Sequence, residues 1–146
     1  MSYLPLAEGS LIVTEFSATS GAIVNAAVPW DNTTKRSTGA SSVSVSGGSI
    51  TLPPGASYWI LVNLDMTRAA NNHPVLCRFY RAGTLLAQAQ GASDITMQTS
   101  FSTANLLGQL AVDVVTEAIE IEVREESGLS KTVNATMSLV IMEVRR

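Results

Sequence analysis

The sequence predicts an all-β fold, an antiparallel β-sandwich or jelly roll. Short runs of alternating or β-branched residues recur, about eight to ten of them, with turn signals every 8–12 residues or so. No stretch carries a convincing helical period. The best strands are also apolar on both faces. In Met137-Ser138-Leu139-Val140-Ile141-Met142-Glu143-Val144, Met137, Leu139 and Ile141 point to one side of a pleated strand, and Val140, Met142 and Val144 to the other. Tyr58-Trp59-Ile60-Leu61-Val62-Asn63-Leu64 behaves the same way. A lone antiparallel sandwich wets one face of each sheet, so its strands should alternate apolar and polar. Here a second face also avoids water, and no predicted helix is available to cover it. Another copy of the same chain is the simplest cover.

The elements follow in order. Residues 1–10 read as an irregular arm punctuated by Pro5, Gly9 and Ser10, and residues 11–146 as a single β-sandwich domain. Leu11 to Phe16 has strand composition, Ser17 to Gly21 turns, and Gly21 to Trp30 is a second extended segment. Asp31 to Gly48, rich in Ser, Thr and Gly, reads as a long surface loop with a weak strand through Val43 and Val45. Ser49 to Leu52 is a strand ended by Pro53-Pro54-Gly55, which suits a type II turn with Gly55 at positive φ. The strong strand Ala56 to Met66 follows, then a loop from Arg68 to Pro74.

Val75 to Arg81 and Thr84 to Gln90 read as a hairpin across Ala82-Gly83. Ile95 to Val115 holds two strands or one bent strand. Glu117 to Glu125 alternates, with Ile119, Ile121 and Val123 inward and Glu120, Glu122 and Arg124 outward. Ser127-Gly128-Leu129-Ser130 turns into a last strand, Thr132 to Arg145. Ala69-Ala70-Asn71 and Ala104-Asn105-Leu106-Leu107 are candidates for single helical turns.

Only 14% of the 146 residues are charged, against roughly 25% in ordinary soluble domains. Mean hydropathy is +0.24, yet the apolar runs are strand-length, well short of the ~20 residues that span a bilayer. Surplus hydrophobicity without a span points to surface buried between subunits, and no membrane partner is expected. The net charge of −3 offers no footprint for nucleic acid. Met1-Ser2-Tyr3-Leu4-Pro5 lacks the basic start and apolar core of a secretion signal, so folding in a reducing cytoplasm is expected.

A further set of features resembles a known architecture. They are Trp30 after an early strand, the block Ser49-Ile50-Thr51-Leu52-Pro53-Pro54-Gly55-Ala56-Ser57-Tyr58-Trp59-Ile60, the hairpin Arg78-Phe79-Tyr80-Arg81-Ala82-Gly83, the apolar run Leu106 to Val115, and the final strand Thr132 to Val144. Their order resembles the trimeric jelly roll of the tumour necrosis factor and complement globular-head superfamily. The resemblance implies jelly-roll topology and a homotrimer. Domains of this kind resemble small virion proteins of tailed bacteriophages: capsid decoration or cement proteins, head fibres and fibre tips. A chain of knob plus short arm, without a long shaft, is expected for a decoration protein on the capsid surface, made in the host cytoplasm. Its partners would be its own copies and the major capsid protein of the same virion. The alternative is a receptor- or glycan-binding knob acting through the 31–48 and 67–74 loops.

The residues set against these readings are few. Tyr58 and Trp59, adjacent in a strand, face opposite sides, so one fills the core and the other an interface. With Ile60, Val62, Leu139, Val140, Ile141 and Met142 they form the candidate core or trimer-interface set. Tyr3, Leu4 and Leu6 of the arm are the candidate capsid contact.

No catalytic set is evident, and no cofactor, metal site or enzymatic activity is expected. His73 is the only histidine and Cys77 the only cysteine; Pro74 and the strand pattern spoil their four-residue spacing as ligands. Cys77 shares a face with Val75 and Phe79 and reads as a buried thiol, unable to form an intrachain disulfide. Glu120 and Glu122 share a face with Arg124, which neutralises them as an acid–base pair. Asp65, Asp94 and Asp113 lack the clustered spacing of a calcium site. The sequons Asn32-Thr33-Thr34 and Asn134-Ala135-Thr136 read as chance matches.

Overall fold

The structure, a computed structural model, describes residues 11–68, 75–86, 95–97 and 103–145. The candidate arm contacts Tyr3, Leu4 and Leu6, together with His73, Asp94 and the candidate turn at Ala69-Ala70-Asn71, lie outside the described residues.

Every element among the described residues is a strand. They are β1 (Leu11–Ala18), β2 (Gly21–Ile23), β3 (Ala26–Ala27), β4 (Trp30–Ser37), β5 (Ser44–Ser46), β6 (Ser49–Leu52), β7 (Ala56–Arg68), β8 (Val75–Arg81), β9 (Thr84–Leu85), β10 (Ile95–Met97), β11 (Thr103–Val114), β12 (Ile119–Glu125), β13 (Lys131–Val133) and β14 (Ser138–Arg145). No helix among them is long and apolar enough to cross a membrane.

Two antiparallel sheets result. In the first, β7 is the spine. Along one edge it pairs with β11 over nearly its whole length. Along the other it pairs with β14 through Ala56 to Asn63 and with β13 through Met66 to Arg68. β14 then pairs with β1, β1 with β4, and β13 with β2. The second sheet runs β10-β8-β12-β6-β5, with β9 hydrogen-bonded to β8 and β3 to β12. This is the jelly-roll sandwich that the sequence predicts.

The core lies between the sheets and is built by strict alternation. β7 sends Ala56, Tyr58, Ile60, Val62, Leu64 and Met66 inward, and β14 with its approach sends in Met137, Leu139 and Ile141. From the opposite sheet come Ile50, Leu52, Val75, Cys77, Phe79, Ile119, Ile121 and Val123. Each fully buried aliphatic or aromatic side chain of this kind contributes about 1.5–3 kcal/mol by leaving water.

Turn chemistry fixes the register. Gly55 takes φ +87° after Pro54, the conformation a type II turn requires of its third residue. Ala82 and Gly83 both take positive φ, 49° and 79°, so the β8–β9 connection is a two-residue hairpin of type I′.

Three expectations are corrected. The first part of the stretch Asp31 to Gly48 is not loop but β4, whereas the short β5, with Val43 and Val45 buried, matches the weak strand expected there. β4 bulges, because Glu15 pairs with Arg36 while Ser17 already pairs with Asp31. From within the bulge, the Lys35 ammonium donates to the carbonyls of Ser41 (3.1 Å) and Val43 (2.8 Å) and ties down the connection to β5. Second, Ala104 to Leu107 is not a helical turn; it pairs with Asn63 to Met66 inside β11. Third, the last strand is broken at residues 134–137 into β13 and β14, where the Met137 N–H donates back to the Asn134 carbonyl.

Candidate functional site

The outer faces of the two sheets differ in kind. On the second sheet, odd residues of β12 point into the core, so Glu120, Glu122 and Arg124 face water as expected. Arg124 donates to Glu122 at 3.0 Å, and its guanidinium sits 6.0 Å from the centre of the Tyr80 ring. Arg78 pairs with Glu126 at 3.7 Å, and Glu126 also accepts the Tyr80 hydroxyl. That hydrogen bond stabilises the neutral phenol and raises its pKa. This face is a solvated lattice of charges, individually worth little.

The first sheet presents the opposite. Its pairing aligns the outward side chains in rows. One row runs Asp113, Ser57, Val144, Leu11; the next runs Ala111, Trp59, Met142, Val13; the third runs Gln109, Leu61, Val140, Glu15, Arg36. Seven large apolar side chains thus adjoin, with Ala111 beside them, and three of the seven are well exposed: Leu11 at 55%, Trp59 at 48% and Val144 at 40%. The Trp59 indole N–H donates to Gln109 Oε1 at 3.1 Å, which fixes the ring across β11. An ion pair closes the far side, Arg36 donating to Glu15 at 2.5 Å. On either side of that pair open a groove of about 430 Å³ and one of about 320 Å³.

The candidate core or interface residues divide cleanly by parity. Tyr58, Ile60, Val62, Leu139 and Ile141 are core; Trp59, Val140 and Met142 are on the outer face. Tyr58 donates its hydroxyl to the Pro53 carbonyl at 2.6 Å. Its phenol pKa is pushed up to about 12, first by burial and then by the Glu143 carboxylate.

Sequence reasoning missed the buried charges. Glu143, 2% exposed, accepts from Ser41 Oγ (3.2 Å) and from Arg145 Nε (2.6 Å), and Arg145 also donates to the Ala40 carbonyl. Glu125 and Lys131 are fully buried, 3.9 Å apart. Glu125 accepts from the N–H groups of Leu76 (2.9 Å) and Ser127 (3.0 Å) and from Ser127 Oγ (2.7 Å). Lys131 Nζ donates to Ser127 Oγ and to the Leu129 carbonyl, both at 2.7 Å. Parity in the run Ile119-Glu120-Ile121-Glu122-Val123-Arg124-Glu125 could have placed Glu125 inward. Nothing comparable marks Lys131. Both acids are held by fixed donors, an arrangement that pins strands together.

Cys77 is buried, and burial, reinforced by the Glu125 carboxylate, pushes its thiol well above the ordinary range. It is therefore a neutral thiol at physiological pH, with no activated nucleophile character. In the native protein Cys77 is expected to react with Ellman's reagent only as fast as the domain unfolds; a rapid native reaction would overturn this placement.

Asp65 and Asp113 are eight residues apart in pairing along β7, opposite Asn105 and Ser57, so about 27 Å of strand separates them. Among the described residues no group of three His, Cys, Asp or Glu could hold a metal ion.

No protein-family description and no curated protein sequence matches the chain. Solved structures do. Murine APRIL aligns with a TM-score of 0.65 at 8% identity, covering 91% of this chain and 98% of its own. An Eiger TNF from S. frugiperda aligns at 0.62 and 11% identity, covering 93% and 92%. The globular domain of zebrafish complement 1qA aligns at 0.53 and 11% identity, covering 91% and 94%. The chain therefore has the jelly-roll fold shared by TNF ligands and complement globular heads.

Proposed function

We propose that the protein is a noncatalytic structural module that assembles as a homotrimer through the outer face of its first sheet. In the sharper form of this reading it is a capsid decoration protein that binds and stabilises the head of a tailed bacteriophage. One observation carries the assembly: Trp59, Leu61, Val140, Met142, Val144, Val13 and Leu11 adjoin on one outer face, while the other outer face is charged. Contiguous exposed apolar surface of this kind marks an interaction site. The low charged fraction of 14% supports the same reading. Three linked copies would also bind a repeating shell with avidity, so weak individual contacts suffice. On this reading residues 1–10, with Tyr3, Leu4 and Leu6, are the proposed contact to the major capsid protein, and the proposed location is the virion surface.

Light scattering after gel filtration tests the assembly directly. The expected result is one trimeric mass for the native chain, and a monomer with an unchanged far-ultraviolet spectrum for Trp59→Asp. Co-sedimentation with undecorated heads then tests the virion role. Deleting residues 1–10 is expected to abolish co-sedimentation and leave the trimer intact. A native chain that is monomeric at millimolar subunit concentration would overturn the proposal at its base.

A further inference from the structure

The outer face of the first sheet is not uniform from edge to edge. Toward the β11 edge it carries an exposed ring and an exposed acid. Trp59 is held by Gln109, and Asp113, one row away, accepts from Ser57 Oγ at 2.6 Å. Toward the β4 edge it holds instead the groove of about 320 Å³, lined by Val13, Glu15, Arg36, Ser37 and Thr38. The Arg36 side chain at this groove is 81% exposed. Glu15 accepts from its Nη2, and a guanidinium has five donor hydrogens to offer. Asp113 on β11 and Arg36 on β4 have β7, β14 and β1 between them, about 19 Å at the usual strand spacing. They cannot meet within one chain.

We propose that copies of this chain join head to tail, with the Trp59 and Asp113 half of one outer face seated on the Arg36 half of the next. A closed ring of three meets through two unlike patches of each chain, and this face supplies two that complement each other. Seated this way, the Trp59 indole enters the groove against Val13 and lies beside the Arg36 guanidinium, a cation–π contact that strengthens as water leaves. The Asp113 carboxylate gives the same guanidinium an anionic partner from the neighbouring copy. The opposite arrangement, like half on like half, brings two guanidinium groups or two carboxylates together and is disfavoured. The apolar rows between the halves supply attraction, and the charges decide which edge meets which. This inference rests on the assembly proposed above and adds its polarity and its contact residues.

Two measurements on the whole chain test it. In the first, light scattering across a dilution series follows charge reversals. Arg36→Asp and Asp113→Arg are each expected to raise the dissociation midpoint by about tenfold or more. The double variant, which exchanges the two charges, is expected to recover most of that loss. Both side chains are exposed, so circular-dichroism melts should stay close to native. In the second, Arg36→Cys and Asp113→Cys chains are treated with a short bis-maleimide well above the native midpoint. Covalent dimers are expected only when the two variants are co-expressed, and covalent trimers from a chain carrying both substitutions. A native mass of one or two copies overturns the trimer and this inference with it. A native trimer whose double variant is no tighter than the single ones keeps the assembly and overturns the head-to-tail contact alone. Cross-linking of either cysteine variant by itself, or none from the co-expressed pair, overturns it equally. Should a charge variant fail to fold, the cross-linking decides the question.

Discussion

Leu139→Asp is expected to unfold the domain, while Val140→Asp, one residue along the same strand, is expected to leave it folded and prevent its assembly. Leu139 has no solvent exposure and stands between Val62 on β7 and Phe16 on β1, both core residues. A carboxylate there has no partner. Burying it or protonating it costs roughly 4–5 kcal/mol or more, comparable with the whole stability of a typical domain, about 5–15 kcal/mol. Val140 stands between Leu61 and Glu15 on the outer face. A carboxylate at that position meets water in the monomer, so folding changes by only about 1 kcal/mol or less. In the assembly the same group would lie in an apolar seam beside Glu15. Thermal melts and native mass separate the two outcomes. If both variants unfold, or both stay folded and assembled, the division of this strand into a core face and a docking face is wrong.

That division was legible in the chain because a strand's period is two and leaves no freedom once one face is assigned. Tyr58 and Trp59 had to part, and Leu139 and Val140 with them. What parity could not supply was which sheet owns the exposed face. That depends on β11, β7, β14 and β1 lying side by side, and three of these adjacencies join residues far apart in sequence. β4 escaped notice for a related reason. Asp31 to Ser37 carries few apolar side chains, and its pairing to β1 is made by backbone groups that every residue possesses. The Lys131 ammonium was least legible, since lysine is almost never fully buried unless paired, and its partners come from residues 125–129 folded back upon it.

Those buried charges give the second large expected effect. Glu125→Leu should destabilise the domain more than Lys131→Met, although both break one ion pair. Removing one partner of a buried pair typically costs about 3–5 kcal/mol, because the other is left uncompensated in a dry site. Here the two residues are not equivalent. Without Lys131, the Glu125 carboxylate still accepts from Leu76 N–H, Ser127 N–H and Ser127 Oγ, so Lys131→Met belongs at the lower end of that range. Without Glu125, the ammonium keeps Ser127 Oγ and the Leu129 carbonyl, which are neutral acceptors, and the N–H groups of Leu76 and Ser127 lose their acceptor as well. Each stranded N–H adds about 1–3 kcal/mol, which carries Glu125→Leu beyond the range. The double variant should not recover stability as a replaced isolated ion pair often does, because the backbone donors remain stranded. Urea midpoints for the three variants, compared at a common slope, give the order directly. An order with Lys131→Met the most destabilising would show that charge compensation dominates. The expected order would show instead that Glu125 acts chiefly as an acceptor for the backbone. It joins the start of β8 to the end of β12, while Lys131 continues the link into β13 of the opposite sheet. The pair therefore fastens the two layers at the end of the sandwich nearest Asp65.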